Sequence, residues 1–243
     1  MQGNRVPRLL AQFVGISACL TVALFTALPA AYATTASMRT TPHTEALWHM
    51  DETSGTTMVD SSGHGHTGTT FNVTKGKPGF LGKAYHFDGK SSEITVGSSP
   101  DFNVPSGGYQ VTVHVKFGTT PQSLGEDTFD LIRKGLTTEP YWKVEISKTG
   151  KAACHFTGST GIVDFPGNGP LLNDNVWHTI LCWKTTGQLR LFVDGTLVAY
   201  SLIAIGTVVN SNIVTLGFKH DPNVPDSDFY KGTMDEVSIV AFT

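Results

Sequence analysis

Three groups of residues in this chain have types and spacings that suit chemistry. In DSSGHGHTG (60–68), Asp60 precedes His64 and His66, two imidazoles that share a face if the chain is extended. Such a pair suits zinc or copper, yet a structural zinc site takes four ligands and a catalytic one usually three from protein, and spacing supplies no third partner. Asp60 followed by Ser61, Ser62 and Gly63 also has the composition of an Asx-turn, in which the carboxylate binds nearby backbone amides. Calcium coordination and plain turn chemistry both fit these residues, since calcium accepts carboxylates and the carbonyls that glycine-rich turns expose.

The second group is the carboxylates. Glycoside hydrolysis with retention needs a nucleophile and an acid/base about 5 Å apart, which alternate residues of one strand provide. The glutamates are Glu45, Glu52, Glu93, Glu126, Glu139, Glu145 and Glu236, and no two lie two, four or five positions apart. Glu126, Asp127 and Asp130 cluster in GEDTFD, where Gly125 marks a solvated loop. Asp226 and Asp228 share a face if extended, but Pro222 and Pro225 place them in a loop, where they suit a second calcium or a sugar hydroxyl. Nucleophile elbows, His-Glu-x-x-His and phosphate-cradling loops do not occur, so the expectation is a protein without catalysis.

The third group is Cys154 and Cys182. Arg5 and Arg8, the apolar run 9–28 and Ala31-Tyr32-Ala33 have the pattern of a cleaved export signal, predicted over 1–33. The alternative is a retained anchor, because the run is just long enough to span a bilayer. Cleavage removes Cys19 and leaves an even pair in an oxidising compartment, predicting a disulfide between neighbouring strands. The chain is then secreted, with no membrane contact after cleavage. Without the two signal arginines, 15 of the 17 basic residues stand against 20 acidic ones, which excludes a nucleic-acid footprint.

A polar linker is expected over 34–44, followed by one domain over 45–243. Its segments alternate with period two: Val111, Val113, Val115 and Phe117 oppose Thr112, His114 and Lys116; Leu189, Leu191 and Val193 oppose Gln188, Arg190 and Phe192; Trp142, Val144 and Ile146 oppose Tyr141, Lys143 and Glu145. Each such strand has one dry and one wet face. KTGK (148–151) and VDGT (193–196) supply hairpin glycines. The fold class is therefore all-β, a two-sheet antiparallel sandwich of the jelly-roll kind.

ALWHMDETSG (46–55), VDSSGHGHTG (59–68), GKAYHFDG (82–89), NVWHTILCWK (175–184), LFVDGTLV (191–198) and FYKGTMDEVSIV (229–240) occur in that order. Together they resemble the LamG-like jelly-roll domains of the concanavalin A-like lectin/glucanase superfamily. The resemblance implies two curved antiparallel sheets, adjacent terminal strands and a cysteine pair in comparable strands. It also implies a structural calcium held by a final-strand aspartate and backbone oxygens, with Asp235 first, then Asp60 and Asp88.

The resulting expectation is a secreted, carbohydrate-binding, lectin-like module whose partner is a polysaccharide or other glycan. Tyr141, Phe192, His114 and Arg190, on the wet phase of their strands, are the candidate ligand contacts, with Asp226 and Asp228 beside them. Tyr109, Phe165 and Tyr230 are loop candidates, while Trp48, Trp142, Trp177 and Trp183 are expected to fill the core. An extracellular protein-interaction domain is the alternative, and a hydrolase with dispersed carboxylates a minor one.

Overall fold

A computed structural model describes residues 41–242. The expected signal segment lies outside the described residues, as does the expected linker up to residue 40. In chain order the strands are β1 Pro42–Trp48, β2 Thr57–Met58, β3 Gly68–Phe71, β4 Thr74–Pro78, β5 Lys83–Asp88 and β6 Glu93–Val96. They continue with β7 Gly108–Lys116, β8 Thr128–Lys134, β9 Tyr141–Ser147, β10 Ala152–Thr157, β11 Ile162–Asn168 and β12 His178–Lys184. The last are β13 Leu189–Val193, β14 Thr196–Ser201, β15 Val214–Leu216, β16 Lys219–Asp221, β17 Val224–Ser227 and β18 Lys231–Phe242.

Two eight-stranded antiparallel sheets result. The first runs β14-β13-β12-β7-β18-β5-β4 with β1 also on β18, and the second runs β11-β10-β9-β8-β15-β6-β3-β2. The terminal strands are adjacent, as the resemblance implied. Pro42, His43 and Thr44 already pair with Phe242, Ala241 and Val240, so the domain begins before the expected linker end at 44.

The alternation places the core. Val111, Val113 and Val115 of β7 and Leu189, Leu191 and Val193 of β13 face Trp142, Val144 and Ile146 of β9 across the sandwich. Burying each such side chain stabilises by about 1.5–3 kcal/mol. Asp194 and Gly195, with φ of 49° and 76°, make the tight turn of the β13–β14 hairpin, where both central residues need positive φ.

The cysteine pair forms, but not between neighbouring strands. Cys154 lies on β10 of the second sheet and Cys182 on β12 of the first, so the disulfide ties the sheets together through the core. Alternation gives each cysteine an inward direction but does not reveal which sheet holds its strand. Among the described residues no helix is long and apolar enough to cross a membrane.

Candidate functional site

The outer faces of the two sheets hold the sequence-predicted ligand residues, and they differ in kind. On the second sheet, Asp130 of β8 pairs with Glu145 of β9 across the strands. Asp130 is 0% and Glu145 5% exposed, although both point away from the core. Asp130 accepts from Arg133 Nη1 at 2.6 Å, and Lys143 Nζ lies 3.8 Å from its other oxygen while also binding Glu145. The expectation that Asp130 sits in a solvated loop is thus corrected: Gly125 ends a short helix, Pro121–Leu124, and the chain enters a central strand three residues later.

Burial, joined by the Asp130 charge and opposed by Lys143, pushes the Glu145 carboxyl up to about 7. Asp228, whose backbone carbonyl accepts from the Asp130 amide at 3.0 Å, is raised to about 6, again by burial first and Asp130 second. Asp226 belongs to the β16–β17 hairpin and binds His220 Nδ1 at 2.9 Å. Asp228 lies in the loop after β17, where its carboxylate has Lys219 Nζ at 3.9 Å.

Tyr141 is only 5% exposed and stacks on His155 at 4.5 Å and 13°, so β9 lacks the wet face its alternation predicted. The hollow beside Arg133 has only about 20 Å³. This face is a buried ion network in which Asp130 Oδ1 has no hydrogen-bond partner and only Lys143 Nζ at 3.8 Å.

The first sheet presents aromatics instead. Trp183 of β12 is part-exposed on the outer face, and so are Phe192 of β13 and Phe242 of β18. Trp183 lies 6.4 Å from Phe192 at 34° and 6.5 Å from Phe242 at 27°, a shallowly tilted platform. Arg190 sits over the Trp183 ring at 5.5 Å, with its guanidinium oriented by Gln188. One side of Trp183 opens into a hollow of about 320 Å³ with Gln110, Thr112, Thr179 and Phe192 in its wall. The other opens into one of about 220 Å³ toward Thr185 and Phe242.

Trp183 and Trp177 therefore do not fill the core as expected, whereas Trp48 and Trp142 do. Trp183 follows inward-facing Cys182 by one residue, so period two already points it outward. Tyr109, Phe165 and Tyr230, expected in loops, are buried. His114 is on the outer face but lies under Phe80, with ring centroids 4.1 Å apart, so it is not an open contact.

The candidate calcium ligands separate equally clearly. Asp60 accepts from Leu47 N, Ser62 N, Ser62 Oγ and His66 N at 2.8–3.0 Å, two donors on each oxygen. Burial opposes ionisation there, but these hydrogen bonds win and lower its pKa. Asp88 likewise accepts from the amides of Lys90, Ser91 and Ser92 and from Ser91 Oγ, and is held well below the usual carboxylate range. Both organise their turns, with donors already on both carboxylate oxygens.

Asp235 is different. Glu236, with φ of 45°, lies within an irregularity of the β18–β7 pairing that turns the Asp235 carboxylate under residues 79–82. Its Oδ2 accepts from Leu81 N at 3.0 Å, while its buried Oδ1 has no hydrogen-bond partner. A Cβ at Gly79 would lie 2.4 Å from Lys83 O, 2.6 Å from Leu81 O and 2.7 Å from Asp235 Oδ2. Lys83 O, Leu81 O and Asp235 Oδ2 therefore crowd the Gly79 α-carbon, a position that only glycine tolerates. Burial pushes the Asp235 carboxyl up to about 6, opposed by the Leu81 amide.

Comparison with known proteins gives the same architecture. Similar solved structures include the binding domain of Paraclostridial Mosquitocidal Protein 1, at 13% identity and a TM-score of 0.63, covering 81% of this chain and 48% of that one. A botulinum neurotoxin type C structure, whose description ties cell entry to two ganglioside molecules, matches at 14% identity and a TM-score of 0.58, over 82% of this chain and 48% of that one. Domain 4 of AbnA, a GH43 extracellular arabinanase from Geobacillus stearothermophilus in complex with arabinotriose, matches at 18% identity and a TM-score of 0.57, over 83% and 93%. The chain spans about half the length of the toxin chains it matches. No curated protein matches it. The Laminin_G_3 family, described as concanavalin A-like lectin/glucanases superfamily, matches residues 88–242, and with its two antiparallel sheets the chain belongs to that superfamily.

Proposed function

We propose that this protein is a secreted, non-catalytic carbohydrate-binding module that takes a glycan along the Trp183 platform and holds a structural calcium at Asp235. The observation that carries the reading is the part-exposed Trp183, flanked by Phe192 and Phe242 and by hollows of about 320 and 220 Å³. Sugar rings stack on such faces, and Gln110, Thr112, Thr179 and Arg190 supply hydroxyl partners around it. The ganglioside and arabinotriose in the descriptions of similar structures support a glycan as the partner class.

Asp130 and Glu145 do not support a hydrolase, because both are buried and ion-paired with Arg133 and Lys143, out of a substrate's reach. Calcium would be held by Asp235 through Oδ1, the buried oxygen without a hydrogen-bond partner, beside the turn whose Leu81 amide binds Oδ2.

The test is a glycan-array screen of the purified protein in calcium, repeated with Trp183→Ala. The expected result is a defined glycan class that Trp183→Ala loses while its unfolding midpoint stays within about 3 °C. A silent array would overturn the lectin reading in favour of a protein partner. That alternative has its own observation: Leu197, Tyr200, Leu202 and Ile203, 47–68% exposed, form an apolar margin at the β14 edge.

A further inference from the structure

We propose that His64, His66 and Asp101 form a binding site for a divalent late transition metal, zinc in the first instance, independent of the glycan platform and of Asp235. The ligand atoms of the three residues all lie within 4.8 Å of one another. His66 Nε2 is 2.8 Å from Asp101 Oδ2, and His64 Nδ1 is 3.8 Å from the same oxygen. Asp101 is the third ligand that spacing along the DSSGHGHTG stretch could not supply. It comes from a single 3-10 turn, Pro100–Phe102, thirty-five residues beyond His66.

The donor set selects the cation. Two imidazoles and one carboxylate suit zinc, copper or nickel, whereas calcium and magnesium demand oxygens throughout. With metal–ligand bonds of about 2.0–2.2 Å, tetrahedral donors stand about 3.3 Å apart. The His66–Asp101 edge must therefore open slightly and the edges to His64 must close. His64 can supply this movement, since its side chain is 43% exposed and Gly63 and Gly65 flank it at φ of 93° and 80°. Three protein ligands leave the fourth position to water or an incoming group, the pattern of an open zinc site.

The other two ligands are already fixed. Asp60 accepts from the His66 amide at 2.9 Å, and Trp48 Nε1 donates to the His66 carbonyl at 2.8 Å. The His66 ring packs 4.5 Å from Phe102, the residue after Asp101, and the Asp101 amide donates to Ser99 Oγ at 3.2 Å. Asp60 thus builds the loop by turn chemistry and thereby aims His66 at Asp101. The mouth remains open, with the Asp101 side chain 38% exposed.

The test is calorimetric titration of tag-free, chelator-stripped protein with zinc chloride in excess calcium, which saturates oxygen-donor sites. Cobalt is titrated in parallel for its visible absorption. One zinc per chain is expected, with tetrahedral cobalt bands, and His64→Ala and Asp101→Asn should each weaken binding by more than about tenfold. His64 is exposed, so its variant should keep the wild-type unfolding midpoint, whereas His66→Ala is avoided because that ring packs on Phe102. Asp235→Asn should leave zinc binding unchanged. No zinc binding up to millimolar concentration, or wild-type affinity in both His64→Ala and Asp101→Asn, would overturn the proposal.

Discussion

The two outer faces of this sandwich spend their polar residues in opposite ways. On the second sheet Arg133, Lys143, Asp130 and Glu145 are packed into one buried network, and Tyr141 is stacked on His155. On the first sheet Trp183, Phe192 and Phe242 stay part-exposed beside two hollows. Buried charges that bind each other stabilise or specify a fold but have little left for a ligand, whereas the part-exposed Trp183, with Arg190 over its ring, still opens to solvent on both flanks.

The largest effect expected from breaking this contrast is on the network. Arg133→Met leaves Asp130 buried against Lys143 alone and should cost about 3–5 kcal/mol in chemical denaturation, because removing one partner strands the other. Reducing the Cys154–Cys182 bridge, or Cys154→Ser with Cys182→Ser, comes next. It closes a loop with a separation of 28 residues, so chain entropy predicts about 3–4 kcal/mol, measured as the shift in denaturant midpoint. Both changes should lower stability while leaving the glycan profile of the folded fraction intact.

A smaller effect follows from acidity. Burial raises Glu145 to about 7 and Asp228 and Asp235 to about 6, so the folded protein holds these protons more tightly than the unfolded chain. Their stabilisation is fully present below the unfolded values and is lost as pH rises through 6 and 7. Asp60 and Asp88 have the opposite sign: their contribution is present above the unfolded value and disappears below about pH 4. In chelator these three carboxyls should raise the unfolding midpoint as pH falls from about 7 to 5, against His86, His114 and His155, whose burial lowers their pKa and costs stability over the same range. Calcium at 100 times its dissociation constant should add about 2.7 kcal/mol at pH 7.5, and Asp235→Asn should abolish that gain.

The smallest expected change in stability, under about 1 kcal/mol, belongs to Trp183→Ala, although it should remove most glycan binding. A Trp183→Ala protein that unfolds like the Arg133 variant would mean that the platform is packing rather than a binding face.

Much of the sandwich was legible in alternation, because Val111, Val113 and Val115 can face the core in only one phase. The same logic failed at β9, where Tyr141 and Glu145 are on the outward phase yet are buried among neighbouring strands and the residues of the ion network. Outward direction follows from period, but exposure depends on what other segments lie over the face. Asp101 was illegible for a related reason: its meeting with His66 depends on how a 3-10 turn sits against a distant loop. Trp183 was legible and was misassigned, since size suggested core while its place beside Cys182 pointed outward.

The most direct measurement of the central claim is hydrogen–deuterium exchange of the protein with and without the best glycan from the array. Binding at the platform predicts added protection in residues 179–183 and 190–195 and none in 130–145. Protection confined to 130–145 would contradict the account and return the ligand to the ion-network face.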